Sequence, residues 1–254
     1  MTVIYIFTIV FFVVSAAVHI LLSEDPKVTL YSDIIAVVAG ALPIIAFLYA
    51  FLYFEKGVPE KRVLLIFFTG MILWLLGEIM WLYYEGLMDI DPFPSVADLF
   101  WIHGYIAIFI ALILQYKSLK VRLEKRYEVG IAIGVAIVGM IMLSILFFLI
   151  IGEEDFTLLE QIISLYYPVA DFCLLYMALL ITGLYWKGKL SYARLLIALG
   201  IMAYCVGDVW FAYLEWEGIY REVLWHPVNF TWIIGDLLFF LGAFKYRLTF
   251  EELV

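Results

Sequence analysis

Long apolar runs recur along the whole chain, with only short polar stretches between them. A helix needs about 20 largely apolar residues to cross the ~30 Å hydrocarbon core of a bilayer. Eight segments meet that description, at roughly 2–22, 29–53, 63–84, 96–116, 128–151, 166–186, 191–214 and 228–244. Hydrocarbon offers the backbone no water to bond, so such segments fold as helices. The 254 residues are 67% hydrophobic, and the spans leave no stretch for a soluble domain. The expected fold is an all-α integral membrane bundle of eight transmembrane helices, one domain over 1–254. No basic stretch precedes the first apolar run, so it reads as a retained helix and not a cleaved signal.

The basic residues test this count independently. Thirteen of the 15 Lys and Arg follow spans 2, 4, 6 and 8. They are Lys56, Lys61 and Arg62; Lys117, Lys120, Arg122, Lys125 and Arg126; Lys187, Lys189 and Arg194; Lys245 and Arg247. Only Lys27 and Arg221 fall on the other side. Cytoplasmic loops favour Lys and Arg, so both termini are expected in the cytoplasm of a cell-membrane protein. The opposite loops read "SEDPK", "EGLMDIDPFPS", "GEEDF" and "EWEGIYRE". They concentrate the net charge of −9 on an outer face that attracts cations. Acids filling loops where bases are disfavoured would give the same pattern. Nothing in this balance supports nucleic-acid binding. One Asn and two Gln fit a thermophilic source.

Spans 3 and 7 align without a gap at an offset of 130. "GMILWLLGEIMWLYYE" (70–85) lies over "GIMAYCVGDVWFAYLE" (200–215), pairing Gly70 with Gly200, Gly77 with Gly207 and Glu78 with Asp208. Spans 4 and 8 align at an offset of 138, which pairs Asp98 with Asp236 and Gly104 with Gly242. Both pairs run the same way through the membrane. The expectation is a parallel 4+4 repeat, with halves near 1–126 and 127–254 and a pseudo-two-fold along the membrane normal. The stretch 156–165 reads as an interfacial helix before span 6. Pro168 then opens that span, and Pro43 is the one expected kink.

Acids inside spans are costly and mark sites or polar contacts between helices. Glu78, Asp98, Asp171, Asp208 and Asp236 qualify, with Asp33 at the margin. Glu78 and Asp208 lie seven residues before Glu85 and Glu215, roughly 10 Å deep at 1.5 Å per residue. Trp74, Glu78, Trp81 and Glu85 share one helix face, as do Asp98, Trp101 and Tyr105. No Lys or Arg lies mid-span to pair with these acids. They must be protonated, hydrogen-bonded or neutralised by a cation. The candidate ligand or cation site is therefore Glu78, Asp98, Asp171, Asp208, Asp236, Trp81 and Tyr105. Ser95 and Asp98 also have the spacing of a helix-capping box, a structural role for that acid.

A divalent cation is the candidate cofactor, with His103 and His226 as weak metal ligands. No HxxxH spacing supports a metal or haem site. A retinal Schiff base is excluded because no Lys lies within a span. HExxH, GxSxG and P-loop motifs are absent; an intramembrane hydrolase using Asp and His stays open, but no motif argues for an enzyme. "PFPSVADLFWIHGY" resembles a Pro-x-Pro-Ser-x-Ala-Asp motif of multi-span membrane input domains, found upstream of bacterial diguanylate cyclase and phosphodiesterase domains. "WLLGE" in span 3 and "GDLLFFLGA" in span 8 are similar to those domains too. The resemblance implies a membrane sensor, without naming a ligand. No output domain follows the spans, so signalling would pass to a separate cytoplasmic or membrane partner, by way of the basic loop "KSLKVRLEKR". The leading expectation is a stand-alone sensor or accessory module in the lipid bilayer. It would bind a cation or small ligand in an outward-facing acidic, aromatic-lined pocket. A proton- or cation-coupled transporter and a scaffold subunit are the alternatives.

Overall fold

A computed structural model describes residues 1–90, 92–119, 121–150, 157–184, 189–220 and 227–252. Its long elements are eight helices: α1 (Thr2–Leu21), α2 (Val28–Tyr53), α3 (Pro59–Trp81), α4 (Val96–Ser118), α5 (Lys125–Ile150), α6 (Leu158–Leu184), α7 (Ser191–Trp216) and α8 (Asn229–Glu251). A π-helical turn, Leu82–Leu87, extends α3. Seven of these helices, α1 to α7, are long and apolar enough to cross a membrane. The chain is a multi-pass helical membrane protein. The eighth expected span is a helix of 23 residues but a more polar one, with Asp236, Lys245, Arg247 and Glu251 inside it. It packs between α2 and α7, so much of its surface meets protein instead of lipid.

Six helices close a ring. In order, α2, α3, α4, α6, α7 and α8 each pack on the next, and α8 returns to α2. Among the described residues the backbones of α3 and α7, and of α4 and α8, stay apart, and aromatic side chains bridge α3 and α7 across the ring. Helices α1 and α5 lie outside the ring, α1 against α2 and α8, α5 against α6 and α7. Their unpartnered faces are apolar, as lipid contact requires: Ile9 and Val13 on α1 and Ile133 and Ile137 on α5 are all exposed. At the end of the ring that holds the C-terminus of α8, the interior is an apolar cluster that includes Phe47, Phe67, Leu112, Leu196 and Ala243.

Small residues set the closest helix contacts. A Cβ added to Gly104 would lie 2.3 Å from the Trp74 ring and 3.1 Å from the Gly70 carbonyl. A Cβ on Gly235 would lie 2.4 Å from the Tyr204 ring and 3.2 Å from the Gly200 carbonyl. Membrane helices approach this closely where Gly removes the side chain. The two contacts are alike. Gly104 stands to Trp74 and Gly70 as Gly235 stands to Tyr204 and Gly200, and these two glycines are 131 residues apart, where the sequence alignment used 138. An offset of 131 would set Asp98 beside Asn229 and Tyr105 beside Asp236. The two offsets differ by seven residues, two helical turns, so sliding by that amount keeps every residue on its face. Periodicity cannot detect such a slip.

Three further expectations change. Helix α6 runs unbroken from Leu158, with Pro168 inside it, so 158–165 is no separate interfacial helix. Arg194 and Arg247, read as loop and tail residues, lie within α7 and α8. Arg194 is buried. Arg247 sits over the Tyr53 ring at 3.7 Å and pairs with Glu251 at 2.8 Å. Long basic side chains at helix ends can bury their stems in this way.

Gly104→Ala and Gly235→Ala are expected to destabilise the fold by about 1–3 kcal/mol each, the usual cost of overpacking a tight contact. The readout is a lower thermal unfolding midpoint in detergent. Gly134→Ala, with open space around it, should leave the midpoint unchanged or raise it.

Candidate functional site

The ring encloses a cavity of about 110 Å³ at the end where α3 and α7 finish and α2, α4, α6 and α8 start. All six ring helices line it. Helix α2 contributes Ser32 and Asp33, and α6 contributes Ser164 and Tyr167. The other four helices supply a denser set of acids and rings.

On α3, the spacing that puts Trp74, Glu78 and Trp81 on one face turns all three to the cavity. Glu78 accepts a hydrogen bond from the Trp101 side chain of α4. Gly77 makes room for that indole, since a Cβ there would lie 2.4 Å from its nitrogen. Across the ring, Asp208 Oδ1 on α7 accepts from Trp232 Nε1 on α8 at 2.7 Å. Gly207 leaves the matching space, 2.8 Å from that indole nitrogen. Each acid is thus pinned by an indole from the adjoining helix, packed over a glycine.

Tyrosines hold the remaining acids. Tyr105 Oη lies 2.6 Å from Asp208 Oδ2 and 2.9 Å from Asp171 Oδ1. A hydroxyl carries one proton, so it donates to one of the two at a time. Tyr204 donates to Asp236 Oδ1 at 2.8 Å, and its ring stacks on Trp74 at 4.6 Å. Asp98 forms the capping box that its spacing from Ser95 predicts. Its Oδ2 accepts from the Ser95 N–H at 2.7 Å, while its Oδ1 accepts from Tyr167 at 2.7 Å. One carboxylate both starts α4 and faces the cavity.

Glu78, Asp98, Asp208, Asp236, Trp81 and Tyr105 therefore come together as expected from sequence. Asp171 stands apart. It is fully buried behind Tyr105, outside the lining, and its Oδ2 has no hydrogen-bond partner. His103 is exposed, its ring bonded to the Leu99 carbonyl at 2.6 Å, and does not line the cavity. His226 lies outside the described residues. Among the described residues no three His, Cys, Asp or Glu side chains converge to hold a metal ion.

Sequence reasoning missed several lining residues. Asp33, marginal in the sequence, is 7% exposed, and its Oδ2 has no partner. The π turn packs on α2 and brings Gly86 close to that atom. Asn229 donates to Ser32 Oγ at 2.8 Å, and Ser32 also meets His19 Nε2 at 2.9 Å. Ser164 and Tyr167 fall where the sequence suggested an interfacial helix and its junction with the span. Phe93 and Tyr220, from the segments joining α3 to α4 and α7 to α8, reach the cavity as well. Burial, and then the Glu85 carboxylate, push the Tyr220 hydroxyl well above its usual pKa, so it stays a neutral phenol.

Six carboxyl groups line the cavity: Asp33, Glu78, Asp98, Asp208, Glu215 and Asp236. Among the described residues no Lys, Arg or His lines it. Comparison with protein-family models, with curated proteins and with solved structures gives no match.

Tyr105→Phe removes the hydroxyl between Asp171 and Asp208 and is expected to cost about 1–3 kcal/mol, the penalty for unpaired buried acceptors. Thermal unfolding measures it. Tyr213→Phe, on an exposed face, should have no comparable effect.

Proposed function

We propose that the protein is a membrane module that binds a small cation in this acidic, aromatic-walled cavity, in a sensory or accessory role. One observation carries the reading: six carboxyl groups from five helices surround a single cavity that no basic side chain lines among the described residues. An ionised acid at the centre of a membrane helix costs about 2.5–3.5 kcal/mol on insertion scales. Clustering several around an open space raises that cost unless protons or a cation neutralise them. A bound cation is the source this reading adopts.

Orientation follows from the basic residues. Their concentration near the ends where α2, α4, α6 and α8 finish supports both termini in the cytoplasm and the cavity toward the outside. The matched contacts of α3 with α4 and of α7 with α8 support a parallel 4+4 repeat, now at an offset of 131 in the last pair. A sensory role accords with the resemblance of the Pro92–Asp98 stretch to membrane input domains. Its output would pass to a partner, with the basic stretch after α4 as the contact on the cytoplasmic side. A transporter needs a second, inward opening. The apolar cluster at the other end of the ring favours a binding module over a conduit.

Titration of the full-length protein in nanodiscs with potassium, calcium and tetramethylammonium salts tests the reading by calorimetry. At least one cation should bind saturably. Glu78→Gln combined with Asp208→Asn should weaken binding about tenfold, the value of one lost charge contact of ~1.4 kcal/mol. No saturable binding of any of the three, or binding indifferent to the double variant, would overturn it.

A further inference from the structure

The walls of the cavity say more than its charge. We propose that it takes a compact methylated ammonium group, of the kind carried by tetramethylammonium or choline. This rests on the cation-binding reading above and narrows it to a chemical class.

Four rings from four helices border the upper cavity: Trp81 of α3, Trp101 of α4, Phe211 of α7 and Trp232 of α8. Successive centroids lie 5.5 Å apart for Trp101 and Trp81, 5.9 Å for Trp81 and Phe211, and 5.8 Å for Phe211 and Trp232. Their planes are inclined at 41°, 76° and 61°. Parallel stacking would turn the rings toward one another. Inclined rings around a common space form walls of differing orientation. The Trp101 and Trp232 side chains bond Glu78 and Asp208 through their N–H edges and pack over Gly77 and Gly207, which leaves at most one π face of each to meet a ligand. The face of an aromatic ring attracts a cation, and a box of such rings is the established way to hold a quaternary ammonium.

The carboxylates fit the same guest. Both oxygens of Asp208 and both of Asp98 are already hydrogen-bonded. They supply negative potential but few free lone pairs. Calcium takes six to eight oxygen ligands at about 2.3–2.6 Å, and magnesium gives up its water reluctantly. A methylated ammonium has no N–H to satisfy and needs diffuse negative charge with apolar contact, which this lining provides. Asp33, buried at the cavity edge, adds a further carboxyl group to the lining. Size agrees as well: an engineered cavity of about 150 Å³ holds benzene, so 110 Å³ suits a compact headgroup.

The test uses the full-length protein in phosphatidylglycerol nanodiscs, titrated with tetramethylammonium and choline and followed by tryptophan fluorescence and calorimetry. Both ions should bind at least about tenfold more tightly than potassium, and than the uncharged carbon isostere of choline. Trp81→Leu should weaken binding about tenfold, while Trp81→Phe, which keeps a ring, should stay within about threefold. Phe211→Leu provides a second loss should Trp81→Leu fail to fold, as judged by size exclusion. Repeating the titration in phosphatidylcholine nanodiscs separates two sources of the same chemistry. Unchanged affinity assigns a soluble ion, and lost affinity assigns the lipid headgroup; either supports the class. Equal binding of the uncharged isostere, or indifference to the loss of both rings, overturns it. If potassium or calcium binds through Glu78 and Asp208 while the methylated ions do not, this inference alone fails. If no cation binds, both readings fail.

Discussion

The bond between an indole or phenol donor and a carboxylate underlies the arrangement of this protein. Acids inside a membrane bundle need donors, and here the described ring interior supplies them from Trp and Tyr and not from basic residues. Each such bond requires the donor helix to lie close to the acid helix. The glycines at positions 77 and 207 satisfy that requirement by leaving room for the Trp101 and Trp232 rings. The helix contacts, the ring and the cavity all follow from seating large aromatic donors against small residues. Aromatic side chains suit the task because they combine a large apolar body with one polar handle.

Much of this was legible in the sequence, and the reasons for the failures are physical. The helices were readable because apolar length is a strong signal, and Ser95 with Asp98 because capping depends on residues three apart. The stripe of Trp74, Glu78 and Trp81 was readable because helical faces repeat every three to four residues. The pairing of Asp98 with Asp236 rests on periodicity, and a two-turn slide leaves all faces intact. Only contacts such as Gly104 on Gly70 and Gly235 on Gly200 fix it. Tyr167 and Asn229 were invisible as lining residues because ring order is a tertiary property. Nothing local says that α6 lies beside α4, or that α8 closes on α2.

The peripheral helices show the same division of labour by composition. Helix α1 buries Thr8, Ser15 and His19 on one side and exposes apolar residues on the other. Its Thr8 and Ser15 hydroxyls bond the carbonyls four residues back, so their polarity is satisfied within the helix. His19 carries a side-chain hydrogen bond from α1 into the ring through Ser32, and Tyr5 makes another to Tyr192 of α7. Helix α5 carries glycines at 130 and 134 with open space around them, in contrast to the crowded glycines of the ring.

The ring also has seams. Its first three helices and its last three meet at two places, where α4 lies on α6 and where α8 lies on α2. Within α3–α4 and α7–α8 the contact is tight and glycine-based. At the seams it is hydrogen-bonded: Tyr105 to Asp171, Tyr167 to Asp98 and Tyr166 to the Ile102 carbonyl at one, Asn229 to Ser32 at the other. Directional bonds between two groups of helices act as latches, because each is lost once its geometry is lost. Asp98 and Tyr167 latch one seam and Ser32 and Asn229 the other, and all four border the cavity. Whatever occupies that space sits at both latches of a two-leaved clasp.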